Sequence, residues 1–130
     1  MNKMILIKGA ILGMIAVLGG AFGAHALKEI LSPEHLDSFK TGVRYQMIHA
    51  VVLLFLFILL NKFESKQFKI AAHFIFWGVI LFSGSIYLLT LKNIIGLEVL
   101  KFAGPITPIG GLLIISGWLF IVLGAMKIKK

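Results

Sequence analysis

The residues of this chain with the greatest capacity for chemistry are polar side chains set in long apolar segments. Eight of them form a candidate polar cluster: His25, Tyr45, Gln46, His49, Ser83, Ser85, Tyr87 and Thr107. Side chains of these types exchange protons, hydrogen-bond solutes or ligate metals. Tyr45 and Gln46 precede His49 by four and three residues, so either one shares a helical face with it. We expect a hydrogen-bonded cluster in which His49 joins Ser83 or Ser85 in one network.

Each member of this cluster also has an ordinary structural explanation. Tyr45 and Tyr87 suit the boundary between an apolar phase and water, and His25 can cap a helix end. Ser83 and Ser85 can bond to carbonyl groups of their own helix. The sequence leaves the functional and the ordinary interpretation open.

Enzymatic chemistry finds little support in the residue types. The apolar segments contain no carboxylate, and the chain has no Cys, no HExxH motif and no Gly-rich phosphate loop. His25 and His49 could together ligate a metal or haem, but they lack a characteristic spacing. We therefore expect a protein that is not an enzyme and that has no cofactor and no metal site.

Four stretches without Asp, Glu, Lys or Arg position the polar residues: 9–27, 45–61, 70–91 and 102–126. A helix rising ~1.5 Å per residue crosses a hydrocarbon core of ~30 Å with roughly 20 apolar residues, which each stretch supplies or approaches. The sequence predicts an all-α, integral membrane antiparallel four-helix bundle forming one domain over residues 1–130. The expected spans are residues 7–27, 44–61, 70–91 and 105–126. For the first stretch, a cleaved secretory signal ending near Ala24 is the alternative.

The polar cluster falls at one end of this predicted bundle. Successive spans alternate in direction, so all the cluster residues lie in the half nearest residues 28–44 and 92–104. We call this end the outer end and the opposite end, which carries both termini and residues 62–69, the inner end. These names follow the orientation predicted from charge.

The basic residues predict orientation and partners. Eight Lys lie at the inner end and five Lys or Arg at the outer end, so both termini are expected in the cytoplasm of a multi-pass cell-membrane protein. The net charge of +8 is then explained by topology and by anionic lipid headgroups at the cytoplasmic face, not by nucleic acid. The expected partners are the lipid bilayer and either a second copy of the chain or another membrane protein.

Small residues recur at helical spacing in the first and fourth stretches. Six glycines are expected to form helix-packing faces: Gly13, Gly20, Gly23, Gly110, Gly117 and Gly124. Small residues let helix backbones approach closely in a membrane, where lipid tails give helices no hydrophobic drive to associate. These faces could pack within one bundle or between copies of the chain.

Two helix starts are indicated near the outer end. Ser32 and Pro33 suit an N-cap and first helical position, which predicts a short interfacial helix over residues 33–41 that turns into the second span near Gly42. The alternative is a continuous extension of that span. In the fourth stretch, a Thr107 cap followed by Pro108 predicts a regular helix beginning at Pro108.

Four motifs in order carry a family resemblance: GAFGAHAL at residues 20–27, FKTGVRYQMIHA at 39–50, LFSGSIYL at 81–88 and ITPIGG at 106–111. The whole chain resembles the domain of unknown function 423 family, also called uncharacterised protein family 0382. The resemblance implies a small, mainly bacterial four-helix integral membrane protein. It implies no established activity and no catalytic or binding residue.

Two functions of different classes follow. The first is a non-enzymatic structural or accessory protein of the cell membrane, for which a sealed interior with paired polar groups is expected. The alternative is a small-solute or ion permease with a polar site in the outer half of the bundle. A hydrated cavity that reaches the outer surface would favour this second function.

Overall fold

The computed structural model describes residues 2–129, which are predominantly helical and contain no strand within that range. The helices are α1 Lys3–Leu18, a π-helical segment Gly19–Gly23, α2 Ala24–Leu27, α3 Pro33–Lys62, α4 Lys66–Ile95, a 3₁₀ segment Glu98–Ala103 and α5 Ile106–Met126. The predicted all-α fold is confirmed.

Four helical runs are long and apolar enough to cross a membrane: Lys3–Leu27, Pro33–Lys62, Lys66–Ile95 and Glu98–Met126. Their 18-residue windows have mean hydropathies between 2.0 and 2.3. Helices with these properties are typical of membrane bundles. The exact spans predicted from the sequence lie within these runs and stay predictions.

Consecutive long helices pack against one another, with contacts whose residue numbers rise along one helix and fall along the next. Along α4 and α5, Gly78 faces Ile114, whereas Phe68 faces Gly124. Along α1 and α3, Gly9 lies beside Leu53, and Gly19 in the following π-helical segment lies beside Val43. In these contacts the paired helices run in opposite directions.

The apolar core lies mainly between α3 and α4. Its most deeply buried large side chains are Leu53 and Leu56 on α3 and Phe68, Ile75 and Val79 on α4, each no more than 1% exposed. Leu12 joins this core from α1, and Ile114 joins it from α5. The polar residues of the outer half therefore adjoin a packed apolar region that fills the bundle toward the inner end.

The start of α3 agrees with the cap predicted from Ser32 and Pro33. The Ser32 hydroxyl accepts a hydrogen bond from the backbone N–H of His35 at 3.2 Å, and Pro33 is the first helical residue. The expectation of a separate helix over 33–41 is wrong, because α3 continues unbroken from Pro33 to Lys62. Gly42 does not turn the chain. It is buried in the helix against Ile86, and close packing stabilises the helical backbone there.

The predicted start of the fourth helix at Pro108 is also wrong. The regular helix begins at Ile106, and no side chain caps it. The Thr107 hydroxyl is bonded to Ser85 on α4 instead, so a tertiary hydrogen bond replaces the local cap. Pro108 lies in the first turn of α5, where its missing N–H leaves no helix bond unmade.

Candidate functional site

The polar side chains of the outer half form several separate hydrogen-bonded links between helices. Two of the links use a side chain of α3, a third uses the backbone oxygen of Gly42 on α3, and a fourth joins α4 to α5. His49 makes no hydrogen bond to Ser83 or Ser85 within the described residues, so the expected single network through His49 is wrong. The reason is geometric, because a short polar side chain reaches only the helix directly beside it.

Gln46 joins three helices. Its side-chain Nε2 donates to the backbone oxygen of Leu12 on α1 at 2.8 Å, and its Oε1 accepts from the Tyr87 hydroxyl of α4 at 2.6 Å. Gln46 is 3% exposed. A buried amide with both ends bonded holds the helices in one register, since sliding either neighbour would leave a polar group unpaired.

Ser83 forms the second link, between α4 and α3. Its hydroxyl donates to the backbone oxygen of Gly42 at 2.7 Å, and the side chain is 1% exposed. Gly42 lacks a side chain, and a Cβ added there would lie 3.1 Å from Ile86. The close approach of the two backbones is what brings the serine hydroxyl within reach of the carbonyl.

His49 forms the third link, between α3 and α5. Its Nδ1 lies 2.7 Å from the backbone oxygen of Tyr45, and its Nε2 accepts from the indole N–H of Trp118 at 3.0 Å. An indole nitrogen only donates, so Nε2 must be unprotonated and Nδ1 must carry the proton. The geometry thus requires a neutral imidazole, with both ring nitrogens engaged.

Ser85 and Thr107 form the fourth link, between α4 and α5. The Ser85 hydroxyl donates to the backbone oxygen of Phe82 at 2.8 Å. Because that bond uses the only hydroxyl proton of Ser85, the Thr107 hydroxyl donates to the Ser85 oxygen. This pair ties the first turn of α5 to α4.

The two remaining members of the predicted cluster lie elsewhere. His25 is exposed on α2, and none of the links includes its side chain. Tyr45 is 40% exposed, and its ring packs on Phe82 with the centroids 4.7 Å apart. Tyr45 contributes its backbone oxygen to the His49 link, while its ring lies at the surface of the bundle.

A polar cavity of about 550 Å³ opens beside these links at the outer end. Thr107, Thr90 and Lys92 are among its lining residues, together with Asp37 of α3. The Lys92 ammonium lies 3.7 Å from a carboxylate oxygen of Glu98, which is largely exposed. The cavity has mixed charge, and Thr107 of α5 belongs to its lining.

The glycines of α5 make the closest helix contacts. A Cβ on Gly110 would overlap the backbone nitrogen of Phe82, and one on Gly117 would overlap the side chain of Ile75. A Cβ on Gly124 would lie 2.6 Å from the ring of Phe68. Each of the three therefore permits an approach to α4 that a larger residue would prevent.

The predicted glycines of the first span differ in how closely they pack. A Cβ on Gly23 would lie 3.0 Å from the Phe39 ring, which is a tight fit. A Cβ on Gly13 would be 3.7 Å from Ala50, and one on Gly20 would be 3.4 Å from Val43. These two positions pack at ordinary distances and do not need a glycine.

Three contributing residues were missed from the sequence. Trp118 lies in an apolar span and was not counted as polar, although an indole N–H in an apolar phase needs an acceptor. Gly78 on α4 faces Gly110, and a Cβ on Gly78 would lie 3.0 Å from the Gly110 oxygen. A glycine within an apolar helix can mark such a contact, but α4 also contains Gly84, which makes none. The carbonyl of Leu12 has no signal in the sequence, since every residue has one.

Metal ligation finds no geometric support among residues 2–129. No group of three or more His, Asp or Glu side chains there is placed to hold a metal ion. His25 is exposed, and both ring nitrogens of His49 are engaged with protein groups. The arrangement is suited to joining helices and to lining a small polar cavity.

Comparisons with known proteins agree with this architecture. The UPF0382 membrane protein SSP2132 of Staphylococcus saprophyticus is 40% identical over 126 residues, covering 97% of this chain and 99% of its own. YwdK of Bacillus subtilis, also a UPF0382 membrane protein, is 38% identical over 96% of this chain and 98% of its own.

A more distant relative is similarly matched along its length. The UPF0382 inner membrane protein YgdD of Escherichia coli is 33% identical over 99% of this chain and 94% of its own. No solved structure matches the chain. The family described as protein of unknown function DUF423 matches residues 18–111. The chain therefore belongs to the DUF423 family, whose relatives here are named UPF0382 membrane proteins.

Proposed function

We propose that this protein is a non-enzymatic structural or accessory protein of the cell membrane. The observation that carries the proposal is the pairing of its interior. Within residues 2–129, every buried side-chain nitrogen and oxygen has a hydrogen-bond partner. Four of these bonded links join different helices, so the polar groups act to hold the bundle together.

The supporting argument is energetic. An unpaired polar group costs several kcal/mol in a purely apolar phase and about 1–3 kcal/mol in a protein core. A fully paired interior therefore favours one rigid arrangement of the helices. A transport pathway needs groups that can exchange partners with a solute or an ion. Gln46 and the His49 imidazole already use their hydrogen-bonding groups within the protein.

The proposed topology places both termini and the connection around Glu64 in the cytoplasm. Its support is the excess of Lys at that end, eight against five basic residues at the other. The proposed partners are the bilayer, anionic headgroups at the cytoplasmic face, and a second copy of the chain or another membrane protein. Nucleic acid is not proposed as a partner.

Flux measurements test this function. Purified protein in sealed vesicles should give the same permeability to protons, potassium and glycerol as vesicles without protein. A matched sample with Gln46→Leu should also leave the permeability unchanged, because the native bundle contributes no pathway. A saturable flux of any one solute in the wild type alone would contradict the proposal.

A small-solute or ion permease is the second candidate, favoured by the outer cavity of about 550 Å³. Thr107 lines this cavity and bonds to Ser85, so it is where a solute would first meet the polar links. In this alternative, Thr107→Val abolishes a specific flux. Ser116→Ala serves as the control, because the Ser116 hydroxyl bonds within its own helix to the oxygen of Leu112.

A further inference from the structure

The inner end of the bundle carries a basic cavity that the polar links do not involve. It has a volume of about 380 Å³ and is lined by four lysines: Lys62, Lys66, Lys127 and Lys129. Among the described residues that line this cavity, Glu64 is the one acidic residue. Within residues 2–129 the ion pair joins Lys92 to Glu98 at the other end, and no carboxylate of that range lies within 4 Å of these four ammonium groups. Such a cavity attracts an anion.

The four lysines come from two parts of the chain. Lys62 and Lys66 flank the short connection between α3 and α4, and Lys127 and Lys129 follow α5. The packing of α5 against α4 brings the two parts to one cavity. The site therefore differs from a run of basic residues along one loop.

An apolar groove lies between α3 and α5, within the spans predicted from the sequence. It has a volume of about 240 Å³, and its lining presents no polar surface. Phe55 and Leu59 contribute from α3, while Trp118 and Ile121 contribute from α5. The bond from Trp118 to His49 spans the two helices at the outer end of the groove.

The groove leads toward the basic cavity. Leu59 lines the groove, and Phe63, four residues later at the end of α3, lines the cavity. On the other side, Ile121 lines the groove and Gly124, three residues later on α5, lines the cavity. Residues three or four apart are neighbours on one helix face, roughly 5–6 Å apart along it. The two sites share no lining residue, but they follow each other along α3 and α5, and the start of α4 completes the cavity.

We propose that one anionic phospholipid occupies both sites, with its phosphate headgroup among the four lysines and an acyl chain along the groove. Basic pockets between helices at the cytoplasmic boundary suit such headgroups, and the groove supplies apolar contact at acyl-chain depth. A free phosphate would use only the cavity, and a neutral lipid would use only the groove. The proposal rests on the proposed insertion in the membrane and is independent of whether the protein transports a solute.

Lipid retention tests the headgroup site. The full chain is incorporated into phosphatidylcholine vesicles containing a minor fraction of phosphatidylglycerol, extracted gently, and weighed with its bound lipids by native mass spectrometry. The wild type should retain one phosphatidylglycerol. Lys66→Gln with Lys127→Gln should lower this retention about tenfold or more, since each Lys near an anionic surface contributes roughly 1 kcal/mol.

The matched control removes two lysines of the same end that do not line the cavity. Lys3→Gln with Lys69→Gln changes the net charge equally, and both side chains are exposed. This control should retain the lipid as the wild type does. An equal loss in both double variants would mean a general surface charge effect and would overturn the proposed site.

A second pair of variants tests the groove. Leu59→Trp fills the groove and should reduce retained phosphatidylglycerol about tenfold, because the acyl chain then loses its apolar contact with the protein. Leu119→Trp, on an exposed face of α5, should leave retention unchanged. This pair of variants tests whether the lipid occupies the groove even if the double lysine variant fails to fold.

Competition distinguishes the source of the phosphate group. Inorganic phosphate or glycerol phosphate at millimolar concentration should not displace the lipid, because neither can occupy the groove. Displacement by these anions, together with unchanged retention in Leu59→Trp, would assign the cavity to a free phosphate and overturn the lipid proposal.

Discussion

The indole N–H of Trp118 donates to Nε2 of His49 at 3.0 Å, which joins α5 to α3. The two rings meet edge to face, with centroids 5.9 Å apart and planes at 78°. Both helices pack on α4, and this bond connects them directly. The bond is possible only with a neutral imidazole protonated at Nδ1, so it sets the tautomer as well as the helix position.

We expect Trp118→Phe to destabilise the bundle by roughly 0.5–1.5 kcal/mol, the range for a hydrogen bond between membrane helices. The substitution keeps an aromatic ring and removes the donor. The effects of Trp118→Phe and His49→Leu should be non-additive in a double-mutant cycle, because both remove the same bond. Equilibrium unfolding in detergent measures both quantities.

The control for this cycle is Trp77→Phe. Trp77 is 53% exposed and packs its ring on Phe76. Its replacement should be nearly neutral and should add to His49→Leu without coupling. Coupling of His49 to Ser85, which the sequence first suggested, should be absent, because the two side chains belong to different links.

Gly110→Ala should destabilise the bundle by roughly 1–3 kcal/mol through overpacking. The added methyl group would meet the backbone of Phe82 and the oxygen of Gly78, neither of which can move without shifting α4. Thermal unfolding in detergent measures the effect. A fully neutral Gly110→Ala would mean that α5 does not approach α4 as described.

Gly84→Ala is the matched control on α4. No atom lies within 4 Å of a Cβ added at Gly84. Alanine has a better helix propensity than glycine by about 0.5–1 kcal/mol, so this substitution should be neutral or slightly stabilising. If Gly110→Ala lowers stability and Gly84→Ala does not, the loss at Gly110 is caused by packing and not by helix propensity.

Gln46→Leu should lower stability by roughly 1–3 kcal/mol, because it leaves the partly buried Tyr87 hydroxyl without its acceptor. Tyr87→Phe removes the donor as well and should cost less in the Gln46→Leu background than in the wild type. Ser116→Ala, which removes only a bond within one helix, should have a small effect. If the stability losses of Gln46→Leu and Tyr87→Phe were additive, the hydrogen bond between these two side chains would be contradicted.

Orientation can be tested with single cysteines, because the chain has none. Ser38→Cys at the outer end should react with an impermeant thiol reagent in intact cells, and Glu64→Cys should react only after permeabilisation. Both side chains are exposed. Glu64 is a better position than Ser65, whose hydroxyl caps α4 by accepting from the backbone N–H of Phe68. The reverse labelling pattern would contradict the proposed topology.

The sequence by itself determined the class of protein and the number of long helices. Four uncharged stretches of membrane-spanning length require helices, since a backbone in hydrocarbon must satisfy its own hydrogen bonds. The local signals at Ser32 and Pro33 also located the start of α3 correctly. The spacing of Gly110, Gly117 and Gly124 marked a face of α5 that the structure places against α4.

Only the tertiary structure decided which polar groups meet. Spacing along one helix shows which side chains share a face, but not the rotation or depth of the neighbouring helix that supplies the partner. That is why Gln46 bonds to the carbonyl of Leu12, His49 bonds to Trp118, and Thr107 bonds to Ser85 instead of capping its helix. Partners far apart in sequence are selected by close packing, because the interhelical distance that glycines permit determines which short polar side chains can reach across.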